Sequence, residues 1–336
     1  MTWRSSAGVR LGAVSCAVVL SGCAERQPAD PALVQAGTIT ASGIRGRIAA
    51  VADDSMRGRA TPGPELDRVA AYAVQTFSDL SLRPGPATGF TQLWNSPAGP
   101  APNAVAVLNG GDPVLQDQYV LFVAHMDHIG TASGSLGCVA ADADSICNGA
   151  DDNGSGVAAV LELARAYGGL RARPRRSMIF ALVSGEEEGL LGSRYFVAHP
   201  AVPLTQIVAA INFDMIGRNA RDSILVIGMD RSSLGALTTE VSLEHAELGM
   251  RPVPVPWPLG GSDHLPFDSS GVPTIWFFAG LHPDFHRPSD TVEKIDAEKE
   301  ARIVRLAFYI GLEIANRAER PVRSAPAPPP GPPAAR

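Results

Sequence analysis

Short, continuous runs of apolar residues recur along the chain and constrain its fold more than any other feature. They predict strands over residues 104–108, 119–124, 177–183, 206–213, 223–227 and 272–278. Apolar residues at helical spacing predict helices over residues 156–167, 232–248 and 297–316. Continuous apolar strands that alternate with helices are typical of a sheet whose two faces are both covered. The pattern therefore predicts an α/β fold.

Polar and charged side chains follow directly after several of these runs. The motifs are His125-Met126-Asp127-His128, Asp151-Asp152-Asn153-Gly154-Ser155-Gly156, Glu186-Glu187-Glu188, Asp214 and His286-Arg287-Pro288-Ser289-Asp290. Each motif alone has a simpler explanation, such as the acidic start of a helix or a tight turn. Several buried carboxylates are costly together unless a cation offsets their charge, and imidazole with carboxylate is a ligand set of catalytic zinc. Their joint occurrence near strand ends, where such sheets bind ligands, favours a metal site.

The composition argues against a nucleic-acid-binding protein. The chain has 336 residues, of which 45% are hydrophobic and 18% charged, and its net charge is −6. Nucleic-acid-binding domains instead carry a basic surface. One dense basic run, Arg171, Arg173, Arg175 and Arg176, lies between a predicted helix and a predicted strand. We interpret it as a solvated turn.

The first residues have the pattern of a targeting segment. Arg4 and Arg10 precede a short apolar stretch, residues 11–20, which ends in Leu20-Ser21-Gly22-Cys23. A charged start followed by an apolar stretch too short to span a membrane is typical of a signal peptide. The ending resembles a bacterial lipoprotein signal over residues 1–22, with lipid on Cys23, although an ordinary signal peptide is the alternative. We therefore expect a cell-envelope protein anchored to a membrane, with the outer membrane or periplasm favoured, or a secreted one.

Polar and proline-rich segments flank a single predicted folded region. We predict a linker over residues 23–36, the folded region over 37–318 and a disordered proline-rich tail over 319–336. No internal repeat and no second linker divides the region between them.

Two of the four cysteines are expected to pair with each other. Cys16 lies in the predicted signal peptide, and Cys23 is the predicted lipid attachment site. Cys138 and Cys147 remain, close together in one polar loop. A disulfide is the natural hypothesis for such a pair outside the cytoplasm. Two free thiols, or metal ligation by the pair, are the alternatives.

The motifs after the strands, together with Gly261-Ser262-Asp263-His264, resemble those of the M28 family of co-catalytic zinc peptidases, which includes bacterial leucyl-type aminopeptidases. The resemblance extends over about residues 47–294. It implies the zinc exopeptidase fold, a three-layer sandwich with a central mixed, mostly parallel sheet covered by helices. It also implies hydrolysis of N-terminal residues from peptide substrates with two zinc ions as cofactors.

The resemblance assigns five metal ligands and two further catalytic residues. The ligands are His125 and Asp214 on one zinc ion, Glu187 and His286 on the other, and Asp152 between the two. Asp127 is expected to accept a hydrogen bond from the His125 ring and orient it, as is common for metal-bound imidazole. Glu186 is expected to be the general base.

One position departs from the family pattern. Several members have a Tyr directly before the last histidine ligand, where its hydroxyl helps to hold the oxyanion, and this chain has Phe285 there. His264, next to Asp263, is a candidate replacement, with a role in shaping its loop as the alternative. The other histidines are expected near the ligands or at the surface (His128, His282) and in helices with structural or exposed positions (His199, His245).

Three other functions are compatible with the same motifs. A carboxypeptidase or dipeptidase of this family needs a cation for the substrate carboxylate, and Arg218 is the candidate, with a structural salt bridge as the alternative. A glutaminyl-cyclase-like transferase uses one zinc ion, and the Glu186-Glu187 pair weighs against it. An inactive binding module is expected to lack ligands, but none is missing from the motifs.

Overall fold

The computed structural model describes residues 1–3, 30–256 and 260–324 of the chain. Cys23 and almost all of the predicted signal peptide lie outside the described residues, so the lipid anchor stays a prediction. None of the described helices is both long enough and apolar enough to cross a membrane.

A nine-stranded mixed sheet forms the centre of the fold. Its strands are β1 (Arg83–Pro84), β2 (Thr91–Ser96), β3 (Gly99–Leu108), β4 (Tyr119–His125), β5 (Ser177–Val183), β6 (Ile207–Phe213), β7 (Ser223–Ile227), β8 (Arg251–Val255) and β9 (Thr274–Phe278). They follow the order β1-β3-β5-β4-β6-β9-β7-β8, and β2 also pairs with β3. The neighbours β5, β4, β6 and β9 are parallel, whereas β3 and β7 run antiparallel to this group. The predicted mixed sheet is confirmed, with parallel pairing concentrated at its centre.

Helices cover both faces of the sheet, as the apolar runs predicted. The helices are α1 (Pro31–Gly37), α2 (Ala41–Val51), α3 (Pro64–Asp79), α4 (Gly156–Gly168), α5 (Leu191–Ala198), α6 (Leu234–Glu244), α7 (His264–Ser269) and α8 (Ala297–Asn316). On one face, Phe122 of β4 packs 5.5 Å from the ring of Tyr167 in α4, which in turn stacks on Phe308 of α8. On the other face, Phe196 of α5 packs against Phe267 of α7. Successive side chains of each central strand therefore enter opposite cores.

The described fold extends beyond both predicted boundaries of the folded region. Helix α1 begins at Pro31, where the Asp30 carboxylate accepts a hydrogen bond from the backbone nitrogen of Ala32, and it buries Ala36. At the other end, Arg323 donates a 2.7 Å hydrogen bond to Asp268 in α7. The predicted linker over 23–36 and the predicted tail over 319–336 thus each include residues that pack against the fold. Such short segments carry no long apolar pattern from which they could be predicted.

The interpretation of the basic run as a solvated turn is wrong for Arg176. Its side chain is fully buried and donates hydrogen bonds to the backbone oxygens of Ile314, Arg317 and Ala318 and to Gln118. It thereby ties the end of α8 to the start of β5. Arg171 and Arg173 are exposed, as expected.

Candidate active site

The carboxyl ends of the central strands bring the predicted site residues to one edge of the sheet. These residues are His125 at the end of β4, Glu186 and Glu187 after β5, Asp214 after β6, Asp152 in a distorted turn before α4, and His286 after β9. Because the four strands are parallel neighbours, the segments that follow them meet at the edge where open α/β sheets bind ligands.

The five predicted ligands form two groups that share Asp152. The Nε2 atom of His125 lies 3.5 Å from Asp152 Oδ1 and 3.6 Å from Asp214 Oδ1. The Nε2 atom of His286 lies 3.2 Å from Asp152 Oδ2 and 3.2 Å from Glu187 Oε2. Each oxygen of Asp152 therefore faces a different imidazole. In both groups, one donor atom from each residue lies within 4.8 Å of the others, which is the spacing a metal ion needs.

The electrostatics of the cluster fit a divalent cation. Burial raises the pKa of Asp152, and the charge of Glu187 raises it further. Burial alone lowers the pKa of His286, but hydrogen bonds to Asp152 and Glu187 outweigh it and raise this pKa to about 10. Without a metal ion, the carboxylates thus favour a protonated His286 ring, whose positive charge offsets theirs. A bound metal cation would offset the same negative charge. Imidazole nitrogens with carboxylate oxygens suit a transition metal such as zinc.

The Glu186 carboxylate lies beside the candidate metal ligands but does not pair with their side chains. Its carboxylate makes no hydrogen bond or ion pair with any described residue, although it lies near His125 and Glu187. Burial raises the pKa of Glu186 well above its usual range, and the charges of Asp214 and Asp263 add to the rise. The side chain is therefore available to exchange protons with a ligand.

The predicted contact between Asp127 and the His125 ring differs in the structure. The His125 Nδ1 atom lies 3.3 Å from the backbone oxygen of Asp127, whereas the nearer carboxylate oxygen is 3.7 Å away. That carboxylate instead accepts hydrogen bonds from the Thr61 hydroxyl at 3.0 Å and from the Glu186 backbone nitrogen at 3.4 Å. Asp127 therefore contacts the His125 ring through its backbone oxygen as well as its carboxylate, and the carboxylate also holds the start of the Glu186 loop.

His128 lies beside two of the candidate metal ligands, Glu187 and Asp152, and is therefore closer to them than the sequence analysis predicted. Its ring is fully buried, and its Nδ1 atom lies 2.8 Å from Glu187 Oε1 and 3.7 Å from Asp152 Oδ2. The ring also packs edge-on against His286 at 5.5 Å. The spacing His125-x-Asp127-His128 was the available signal, since the chain turns directly after β4.

Asp151, the neighbour of Asp152, points away from the ligands. It accepts a 2.7 Å hydrogen bond from the backbone nitrogen of Gly217, and its other oxygen lies 3.2 Å from the buried ring of His282. Asp290 accepts hydrogen bonds from the backbone nitrogens of Asp151 and Asp152 and so supports this turn. The two remaining histidines lie elsewhere: His199 is exposed after α5, and His245 stacks on Tyr309 after α6.

Glu300 of α8 lies near Asp151 and supplies a stability prediction. Both of its carboxylate oxygens are buried without a hydrogen-bond partner in the described part of the chain, and burial, then the charge of Asp151, raises its pKa well above 4.5. Since the folded state holds this proton more tightly than the unfolded state, stability falls as pH rises above 4.5. Glutamine cannot ionise, so Glu300→Gln is expected to raise the free energy of unfolding at pH 8 by more than about 1.4 kcal/mol, the equivalent of one pKa unit.

The check is urea unfolding of the zinc-free protein between pH 4.5 and 8. The gain from Glu300→Gln should shrink as the pH falls from 8 to 4.5, where about half of the unfolded chains already carry the proton that the folded state holds. Glu298→Gln, an exposed change in the same helical turn, is the matched control and should show no such trend. A pH-independent difference between Glu300→Gln and the unmodified protein would contradict the argument.

Arg218 and His264 are less available to a substrate than the sequence analysis allowed. Arg218 donates a 2.7 Å hydrogen bond to Asp284 in an ion pair, which is the structural alternative. The His264 ring is buried against Trp276 at 4.7 Å, and burial lowers its pKa to about 3. Burial also raises the pKa of Asp263 to about 7. This arrangement favours the loop-shaping role for the Asp263-His264 pair.

A cavity of about 520 Å³ opens onto the ligand cluster. The polar part of its wall contains Asp152, Glu186, Glu187, Asp214 and His286. The apolar part contains Met215, Trp276, Phe278, Leu281 and Phe285. The Phe285 ring stacks on His286 at 3.8 Å, so the residue that replaces the family tyrosine shields a ligand and offers no hydroxyl. An apolar group can therefore lie within reach of the polar wall.

The predicted disulfide pair lies beside the cluster. Cys138 and Cys147 are bonded in the structure and close the loop between them. Cys147 Sγ lies 3.7 Å from the backbone oxygen of His286. Residues that directly precede this loop, among them Thr131, Ser133 and Leu136, line a second cavity of about 430 Å³ together with Glu188.

Buried imidazole and carboxylate donors at the carboxyl edge of a mixed sheet, open to a cavity, are typical of a metal-dependent enzyme. The chain belongs to peptidase family M28, whose model matches residues 103–310 and so includes all five candidate ligands.

Relatives agree with this assignment over part of their length. Leupeptin-inactivating enzyme 1 of Streptomyces exfoliatus is 31% identical over 203 residues, which are 58% of this chain and 40% of that protein. Aminopeptidase YwaD of Bacillus subtilis is 33% identical over 162 residues, which are 45% of this chain and 34% of that protein. The chain thus spans less than half the length of these curated relatives.

Solved structures share the fold. The LapA aminopeptidase of Legionella pneumophila aligns with a TM-score of 0.69 at 21% identity, covering 86% of this chain and 75% of that one. Glutaminyl cyclase of Porphyromonas gingivalis aligns with a TM-score of 0.64 at 18% identity, covering 81% of this chain and 97% of that one. The same architecture therefore occurs in proteins with two different named activities.

Proposed function

We propose that this protein is a zinc-dependent aminopeptidase that uses two metal ions to remove N-terminal residues from peptides. The observation that carries the proposal is the position of Asp152, whose two oxygens face His125 and His286 in two separate donor groups. The names of the relatives, a leupeptin-inactivating enzyme and an aminopeptidase, support the same activity.

The proposed division of the metal ligands follows the resemblance, and two of the donor groups in the structure support it. His125 and Asp214 would hold one ion, Glu187 and His286 the other, and Asp152 both. When bound, zinc supplies positive charge that lowers the pKa of water and polarises a peptide carbonyl. The hydrogen bond between His128 and Glu187 would keep this ligand in place.

Glu186 is the proposed general base. It lines the cavity next to Glu187, and its carboxylate makes no hydrogen bond or ion pair among residues 30–256 and 260–324, so its carboxylate oxygens can face the reacting atoms. It would take a proton from the attacking water and deliver that proton to the amine of the departing peptide.

The lining of the cavity favours an amino terminus over a carboxyl terminus. Its four carboxylates are the proposed metal ligands and base, so two bound zinc ions would offset most of their charge. The described lining contains neither Arg nor Lys, and Arg218 is held in its ion pair with Asp284, so a substrate carboxylate would have no cationic side chain to pair with. The apolar wall around Trp276 and Phe278 would then accept an apolar first side chain.

The test compares leucine p-nitroanilide with its N-acetylated counterpart on the zinc-loaded protein. Acetylation removes the charge of the α-amine, and we expect kcat/KM to fall by about 10- to 100-fold, because a hydrogen bond to a charged group contributes about 1.5–3 kcal/mol. A chelator should abolish activity, and added zinc should restore it. Equal cleavage of both substrates would contradict the aminopeptidase assignment, and a preference for C-terminal release would favour the carboxypeptidase alternative.

A further inference from the structure

Arg59 is a fully buried arginine next to the candidate metal ligands, and it contacts the backbone of Asp152. Its guanidinium group donates hydrogen bonds to the backbone oxygens of five described residues. The acceptors are Met126 at 2.9 Å, Val51 at 3.3 Å, Gly149 at 2.7 Å, Asp152 at 3.2 Å, and Asn148. All five contacts are buried, so one side chain satisfies carbonyl groups that water cannot reach.

The charge of Arg59 has no direct carboxylate partner. It forms no ion pair with any described residue, although buried charges are usually paired because burial without compensation is costly. Burial lowers its pKa, and the charges of Asp152, Asp127 and Asp290 oppose that lowering. These three carboxylates therefore offset the positive charge of Arg59 without contacting its guanidinium group directly.

Four of the five acceptors of Arg59 belong to the two segments that carry the candidate metal ligands His125 and Asp152, and the fifth, Val51, ends α2. Met126 directly follows His125, and Asn148, Gly149 and Asp152 form the turn in which Asp152 lies. These segments are far apart in the chain from Arg59 and from each other, so no local structure sets their distance. Gly149 has a positive φ of 60°, and a Cβ there would lie 2.1 Å from the Asp152 backbone oxygen, which shows how closely the turn is folded.

We infer that Arg59 is a positioning residue that holds the His125 and Asp152 segments in their metal-binding arrangement before a metal binds. The inference rests on the proposed function, since it assumes that these residues bind zinc. A preformed site avoids the entropy cost of ordering two loops at the moment of binding. Since a fixed positive charge repels a metal cation, the contribution of Arg59 comes from its hydrogen bonds and not from its charge.

The chain offers a matched control for this inference in Arg176. Arg176 is also fully buried and also donates mainly to backbone oxygens, but it lies at the start of β5, at the opposite edge of the sheet from the ligands. Replacing either arginine by lysine keeps the charge and leaves at most three donors of the original five. The two variants therefore lose similar hydrogen bonds to backbone oxygens, Arg59→Lys beside the candidate metal ligands and Arg176→Lys at the opposite edge of the sheet.

The test measures zinc affinity by competition with a chromophoric chelator, together with the melting temperature of the zinc-free protein. Both variants should melt at lower temperature than the unmodified protein. Arg59→Lys should bind zinc about 10- to 100-fold more weakly, the usual effect of losing a partner that supports metal ligands. Arg176→Lys should bind zinc as tightly as the unmodified protein.

Equal zinc affinity in Arg59→Lys and the unmodified protein would overturn the inference and leave the proposed function intact. Absence of zinc binding by the unmodified protein would instead overturn the proposed function. If Arg59→Lys does not fold, hydrogen exchange of the unmodified protein decides the question. The backbone amides of residues 150–154 should exchange slowly before zinc is added, and rapid exchange that slows only with zinc would overturn the inference.

Discussion

Glu186→Gln is expected to lower kcat by about 10²–10⁴, the usual contribution of a general base, while zinc binding stays unchanged. Glutamine keeps the shape of the side chain and removes its ability to accept a proton. Because the Glu186 carboxylate makes no hydrogen bond or ion pair with a described residue, the change should leave the arrangement of Glu187 and His125 intact. KM should change much less than kcat, since the effect falls on the reacting atoms.

The measurement combines steady-state kinetics on leucine p-nitroanilide with zinc content of the purified variant. Glu188→Gln is the matched control, because Glu188 lies two residues further along the same loop but lines the second cavity and belongs to no candidate metal group. It should retain activity and zinc. A Glu186→Gln protein with nearly normal kcat would exclude the proposed base, and one without zinc would show that Glu186 is a ligand instead.

Asp152→Asn is expected to abolish activity through loss of metal. Asp152 is the only residue that contributes to both donor groups, so its loss removes one ligand from each. The affinity for zinc should fall by more than the ~10–100-fold that follows loss of a supporting partner. Zinc should then no longer raise the melting temperature as it does for the unmodified protein, because stabilisation by a ligand depends on its affinity.

The same variant should have the opposite effect on the zinc-free protein. Burial and the charge of Glu187 raise the pKa of Asp152, so its ionised form destabilises the fold at neutral pH when no cation is bound. Asp152→Asn should therefore melt at the same or a higher temperature than the unmodified protein in the presence of a chelator. Calorimetry with and without zinc measures both effects.

Asp151→Asn is the matched control for Asp152→Asn. The Asp151 side chain points towards Gly217 and His282, away from the ligands, so this variant should keep its zinc content. Loss of zinc by both variants to the same extent would indicate a general disturbance of the turn and would contradict the bridging role of Asp152.

The central strands could be predicted from the sequence almost to the residue. Strands β5 and β7 and helix α8 have the predicted bounds, and β4 ends one residue later than expected, at His125. Their continuous apolar runs and regular helical spacing are local signals, and burial on both faces of the sheet makes them strong.

Elements at the periphery could not be predicted in this way. Helix α2 contains two glycines and little separation of polar from apolar faces, and its position depends on packing against α4 and α8. Strand β8 contains Pro252 and Pro254, which normally argue against a strand, and is tolerated because it lies at the edge of the sheet. In both elements tertiary contacts outweigh local propensity.

The sequence by itself determined the α/β architecture, the membership in the M28 family and the set of residues near the strand ends. Only the tertiary structure decided how these residues meet: that Asp127 reaches His125 through its backbone oxygen, that His128 contacts Glu187, and that Arg59 supports the Asp152 turn. The physical reason is distance along the chain. Periodicity records whether a residue is buried, but contacts such as that between Arg59 and Gly149, 90 residues apart, exist only once the sheet has brought the loops together.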